Sequence, residues 1–180
     1  NGTDQYLVSL DLFEGTKRWE KQHDLGSYTN CLYTSVEDGV MVLFGSKSDY
    51  KLEAFRTENG TQMWDEQFGW SRDHHGGKVQ HPVVFGGKVF ADDKVFDLKT
   101  GENLQIPIPS RRGCGTMSAS ADNLFFRDYN HGMYNPETRE RSDWDALRGG
   151  CWLNMIPAGG LLLTPEASSG CSCNNPIQTT

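Results

Sequence analysis

The sequence predicts an all-β chain of short antiparallel sheets repeated along its length, and three observations carry that expectation. First, one glycine-centred turn recurs: Gly15, Gly60 and Gly101 lie 45 and then 41 positions apart, and a weaker copy with Arg139 in the glycine position follows 38 further on. Second, an indole follows the first two glycines at the same distance, as Trp19 and Trp64, again 45 apart. Third, helical periodicity is nearly missing, while 20 glycines and five tryptophans suit many tight turns and packed sheets. Spacings of about 40–50 residues match four-stranded blades arranged around an axis, a β-propeller.

Each copy has the same local logic. In Leu7-Val8-Ser9-Leu10-Asp11-Leu12-Phe13-Glu14-Gly15-Thr16-Lys17-Arg18-Trp19, a strand runs into a turn whose glycine takes φ > 0, and a second strand leads away. Leu52-Glu53-Ala54-Phe55-Arg56-Thr57-Glu58-Asn59-Gly60-Thr61-Gln62-Met63-Trp64 repeats it, with Leu7 and Leu10 falling on Leu52 and Phe55. Lys94-Val95-Phe96-Asp97-Leu98-Lys99-Thr100-Gly101 is the third copy, and Gly132-Met133-Tyr134-Asn135-Pro136-Glu137-Thr138-Arg139 the fourth. Further strands are expected at Leu32–Thr34, Val40–Phe44, Pro82–Phe85, Lys88–Ala91, Leu124–Phe126 and Leu161–Leu163, bounded by turn formers such as Gly86-Gly87 and Gly159-Gly160. One helical turn is expected at Ser142–Leu147, where a serine precedes acidic residues. Trp19, Trp64 and Trp152 are expected in the core, the first two as wedges at equivalent places in adjacent blades.

Composition removes several function classes. The hydrophobic fraction is 36% and the mean hydropathy −0.60, low for a compact α/β enzyme. A net charge of −7, with no basic cluster beyond Arg111-Arg112, leaves no footprint for a phosphate backbone, so nucleic acid is not an expected partner. No run approaches the roughly 18 apolar residues of a membrane span. The chain opens Asn1-Gly2-Thr3-Asp4, which reads as part of something longer. Of five cysteines, Cys114, Cys151, Cys171 and Cys173 lie in the second half, a usage that favours an oxidising, extracytoplasmic compartment, periplasmic or secreted.

The pattern aliphatic–x–aliphatic–Asp–x–x–Thr–Gly–x–x–x–Trp, seen from Leu10-Asp11 to Trp19 and again in Phe96-Asp97-Leu98-Lys99-Thr100-Gly101, resembles the PQQ-like (quinoprotein-like) β-propeller repeat. In the second half, Gly113-Cys114-Gly115-Thr116-Met117-Ser118, Gly150-Cys151-Trp152-Leu153-Asn154 and Pro165-Glu166-Ala167-Ser168-Ser169-Gly170-Cys171-Ser172-Cys173 resemble the C-terminal blades of large, uncharacterised bacterial proteins with such repeats. The resemblance implies a propeller of about four blades over residues 1–180, forming the C-terminal part of a longer chain. It also implies a quinoprotein oxidoreductase with PQQ and calcium. Departures stand against that second implication: there is no adjacent cysteine pair, and Arg112 stands where relatives often carry a further cysteine two before Cys114. No cofactor and no metal is expected from the residues themselves.

Three constellations are candidates for chemistry. Cys114, Cys151, Cys171 and Cys173 are spaced to come from successive blades, and one or two disulfides among them are expected, with Cys31 as the free thiol; free structural thiols and a thiolate zinc site are the competing readings. Asp73, His74, His75 and His81 surround Gly76-Gly77, either as a loop whose imidazoles bond to backbone or as a facial histidine–carboxylate site. Arg127, Asp128 and His131 follow an apolar strand, where Arg127 either clamps an anionic ligand or pairs with Asp128 at the surface. The function expected is a non-enzymatic binding or interaction scaffold of unknown small-molecule or protein ligand. Its partner in assembly is expected to be either preceding blades or a second copy of the chain, because four to five blades sit at the low end of closed rings, about 4–8.

Overall fold

The computed structural model describes residues 4–70, 80–145 and 150–165. Among these described residues, fifteen strands make five antiparallel sheets, all connected in sequence order. A two-stranded sheet comes first, β1 (Tyr6–Leu10) and β2 (Lys17–Gln22). A four-stranded sheet follows, β3 (Cys31–Glu37), β4 (Val40–Ser46), β5 (Tyr50–Arg56) and β6 (Gln62–Phe68). The next contains β7 (Val83–Phe85), β8 (Lys88–Ala91) and β9 (Lys94–Asp97), with a bridge from Phe96 to Asn103 standing in for a fourth strand. A second four-stranded sheet is β10 (Ser118–Ala119), β11 (Leu124–Asp128), β12 (Asn130–Tyr134) and β13 (Arg141–Trp144), and β14 (Ile156–Ala158) pairs with β15 (Leu161–Leu163). This is a β-propeller section of three blades flanked by two half-blades. The helical turn expected at Ser142 is replaced by β13, because Ser142 and Asp143 pair with Met133 and Gly132.

The repeated turn is the same object four times. In each, the first residue's N–H donates to the carbonyl five positions on, and the fifth residue's N–H returns to the first residue's carbonyl: Asp11/Gly15, Arg56/Gly60, Asp97/Gly101 and Asn135/Arg139. Asp11, Asp97 and Asn135 add a side-chain cap, each accepting from the N–H groups two and three residues ahead. The N–H groups of Thr100 above all, with its hydroxyl and Lys99, hold the Asp97 carboxyl below its ordinary range. The fifth residue takes φ of 66°, 69°, 76° and 63° in turn.

The glycines are needed for a second reason at only two of these turns. Trp19 donates its indole N–H to the carbonyl of Thr57 at 2.7 Å, and Trp64 donates to that of Leu98 at 2.9 Å. Each indole therefore lies flat on the turn of the next blade. A β-carbon on Gly60 would fall 2.8 Å from the Trp19 ring, and one on Gly101 2.7 Å from the Trp64 ring. Gln105 occupies the next indole position, so nothing requires a glycine at 139 beyond the backbone angle, and Arg139 carries that strain. Trp64 is 9% exposed. Trp19 is only half-buried, because its own sheet has two strands and little else covers it.

Successive side chains on a strand point to opposite faces, and here both faces are used. Val42 and Phe44 of β4 pack with Trp64, Val89 and Phe96 toward the third sheet, while Leu43 between them packs with Tyr28 and Phe55 toward the first. Phe90 and Val95 join Leu124, Phe126 and Tyr134 in the next interface. Strands such as Val40-Met41-Val42-Leu43-Phe44 therefore read as continuous apolar runs instead of alternating ones. Among the described residues the first sheet has a neighbour on one side only, and Leu10 is 58%, Leu12 88% and Phe13 93% exposed.

Between the first and second sheets sits a buried carboxylate. Glu53 accepts from His23 Nε2 at 2.9 Å, from Lys51 at 3.1 Å and from the Tyr28 hydroxyl. Burial alone would raise its pKa, but Tyr28, His23 and Lys51 outweigh that and hold it below the ordinary 4.5.

Two outcomes are expected. Gly15→Ala, which meets open space, should lose about 1 kcal/mol from backbone strain, while Gly60→Ala and Gly101→Ala should lose about 2–5 kcal/mol because the indole must also move. Urea unfolding measures this, and equal losses at all three would contradict the indole contact. Glu53 stabilises the fold above its unfolded-state pKa and ceases to do so as pH falls through its lower folded value. Glu53→Gln should therefore flatten the acid limb of the stability–pH curve below about pH 4.5, read by denaturation at a series of pH values.

Candidate functional site

The first strands of successive sheets lie side by side, β3 against β7, β7 against β10 and β10 against β14. Where they converge is a cavity of about 540 Å³, within the range of small-molecule sites. Tyr33 comes from β3, His81 from the approach to β7, Thr116 from the approach to β10, and Trp152 and Asn154 from the approach to β14. Four sheets each contribute to one lining, so no two neighbouring residues in the sequence could have announced it.

A buried arginine sets up the polar side of this cavity. Arg111, 4% exposed, donates to the Gly115 carbonyl at 3.1 Å and to Gln80 Oε1 at 2.5 Å. The Gln80 N–H in turn donates to the Tyr50 hydroxyl at 3.1 Å. Gly115 and Gln80 precede Thr116 and His81, so one guanidinium fixes the backbone that carries both. The hydroxyl of Thr116 donates to Asn154 Oδ1 at 2.6 Å, which ties the β10 approach to the β14 approach. His81 donates from Nδ1 to the Pro82 carbonyl at 2.5 Å, and its ring lies against Tyr33 with centroids 4.5 Å apart at 55°. Burial raises the Tyr33 phenol pKa, which keeps it protonated.

A second buried arginine serves the other side. Arg127, 5% exposed, donates to Cys151 Sγ at 3.3 Å and to the Tyr129 carbonyl at 3.5 Å. Cys151 is followed by Trp152, which holds a left-handed φ of 61° and is 39% exposed. A tryptophan in that backbone region is uncommon and is held there by its surroundings. Across the β11–β12 ladder from Arg127 is His131, 4% exposed, whose Nε2 is buried with no hydrogen-bond partner among the described residues. Burial first, and then the Arg127 charge, push its pKa below 6.5.

Of the histidine cluster singled out in the sequence, His81 lines the cavity; Asp73, His74 and His75 lie outside the described residues. No group of three metal-ligating side chains forms among the described residues. Of the four cysteines expected to supply one or two disulfides, Cys114 and Cys151 do not bond to each other, and Cys151 Sγ accepts from Arg127. Cys171 and Cys173 lie outside the described residues. Arg127 is neither a surface partner of Asp128 nor at the cavity wall. Asp128 pairs with Arg141 at 2.6 Å, and Arg127 is a buried support. Trp152, expected in the core, lines the cavity. Sequence reasoning missed Tyr33, Thr116 and Asn154, since each is an ordinary residue whose importance comes from convergence alone.

No protein family and no curated protein matches the chain. Among solved structures it is similar to BamB from Moraxella catarrhalis, at 17% identity and a TM-score of 0.52 over 77% of this chain. The match takes in 41% of the BamB chain, so this chain spans less than half of that protein's length. At that identity the likeness supports the propeller fold alone.

The His131 imidazole should titrate below pH 6.5 in the folded protein, as followed by NMR. Because the unfolded imidazole takes up its proton first as pH falls, the stabilisation present at neutral pH is lost on descending through 6.5 toward the folded value. A His131 signal titrating at or above 6.5 would contradict its buried, uncharged state.

Proposed function

We propose that this chain is a section of a larger propeller that works as an interaction scaffold, taking further blades on the face of its first sheet. One observation carries the reading. The turns at Gly60 and Gly101 are each covered by an indole from the preceding blade, whereas the matching turn at Gly15 has nothing within 4 Å among the described residues. By analogy with Thr57 and Leu98, the carbonyl of Leu12 is the acceptor such an indole would use. Exposed Tyr6, Val8 and Leu10 on β1, with Leu12 and Phe13 at the turn, make an apolar face of the kind that marks an interaction surface. The occupant favoured is a blade whose last strand carries a tryptophan four residues after its turn glycine. A second copy of this chain is the less suited partner, because its own last complete sheet carries Asp143 in that position.

An extracytoplasmic site of action belongs to the same reading and rests on the cysteine usage. A PQQ-type oxidoreductase is less favoured. PQQ carries three carboxylates and is held with calcium, yet no arginine, lysine, aspartate or glutamate is among the described residues lining the axial cavity.

Binding of a hydrophobic dye tests the scaffold. At micromolar concentrations the chain should bind the dye on its exposed first sheet, while Leu12→Asp with Phe13→Asp should leave little dye bound. A wild-type chain that binds no dye would overturn the proposal.

A further inference from the structure

We propose that the axial cavity binds a neutral, polyhydroxylated ring, a sugar of one or two residues. The inference is independent of whether further blades dock on the first sheet, because the cavity is built from the other four sheets.

Its volume of about 540 Å³ suits a ligand of that size. Its walls combine two kinds of surface. Trp152 and the Tyr33–His81 pair present aromatic faces, which pack against the C–H face of a pyranose. Tyr33 and His81 already pack against each other at 4.5 Å with a 55° tilt, which leaves no slot between them for a flat aromatic guest.

The hydrogen-bonding groups are neutral and mixed in sense. Asn154 Oδ1 is committed to the Thr116 hydroxyl, which directs the amide hydrogens of Asn154 to donate elsewhere. His81 spends its Nδ1 hydrogen on the Pro82 carbonyl, which leaves Nε2 with a lone pair to accept. The Thr116 oxygen retains its own acceptor capacity, and partial burial keeps the Tyr33 phenol protonated. Hydroxyl groups, which both donate and accept, answer such a set. With no carboxylate, lysine or arginine among the described residues of the lining, a charged guest finds no compensating charge in them.

The cavity is also prepared in advance. Arg111 holds the segments of His81 and Thr116, and Arg127 holds Cys151 beside Trp152 in its left-handed conformation. A site whose walls are fixed before binding loses less on ordering.

Isothermal titration calorimetry of the full chain with glucose, galactose, N-acetylglucosamine and cellobiose, against glucuronate and PQQ with calcium, tests the proposal. At least one neutral sugar should bind saturably in the range of about 1 mM or tighter. Trp152→Gly, which keeps the left-handed backbone while removing the indole, and Asn154→Ala should each weaken it by about tenfold or more. Circular dichroism checks that both variants fold, and two variants guard against the loss of one. The proposal is overturned if none of the four neutral sugars binds, if glucuronate or PQQ binds more tightly than all of them, or if both folded variants bind like the wild type.

Discussion

The contact on which the architecture depends is the indole laid across the next blade's turn. Sheets that meet face to face through aliphatic side chains can slide, because hydrophobic contact has no direction. A tryptophan that closes over a glycine and donates to a carbonyl three residues earlier cannot slide without losing both. It fixes the angle and height of each blade on its neighbour. The first strands are then brought side by side, and the cavity where they meet is a consequence of that placement.

The same contact explains which parts of the fold were legible. The turn glycines and their tryptophans stood out in the sequence because the geometry demands a specific residue at each place. β4, β8 and β11 were legible as apolar runs because each strand faces two interfaces. The fourth turn was harder to see, since without an indole above it the position tolerates Arg139. β13 read as a helical turn because Ser142-Asp143-Trp144-Asp145 looks like a helix start locally, while its pairing with β12 is a tertiary fact.

The site was much less legible. His81 was picked out by residue type, and Trp152 was noticed but assigned to the core. Tyr33, Thr116 and Asn154 carry no local signature; their meeting requires three chain crossings around the axis. Arg127 was singled out for its charge, yet a guanidinium buried against a thiol and a carbonyl acts by holding backbone. Arg111 does the same for the opposite wall, and its neighbour Arg112 hid it in what looked like a solvated basic pair.

Among the described residues the interior is not one core but three separate interfaces in series, each shared by two neighbouring sheets. A chain so built loses structure by local opening at its ends before it loses the middle, as a stack of coupled units does. Amide hydrogens of β4, β5 and β8, with a buried interface on either side, belong to the slowest-exchanging set. Those of β1, β2, β14 and β15, with fewer neighbours, belong to the fastest. The axial cavity draws its walls from both classes, since Tyr33 and His81 sit by the protected centre and Trp152 and Asn154 by the fraying end. Occupancy of the cavity would therefore bind a loose unit to a firm one and slow exchange at β14 and β15, far beyond the residues a ligand touches.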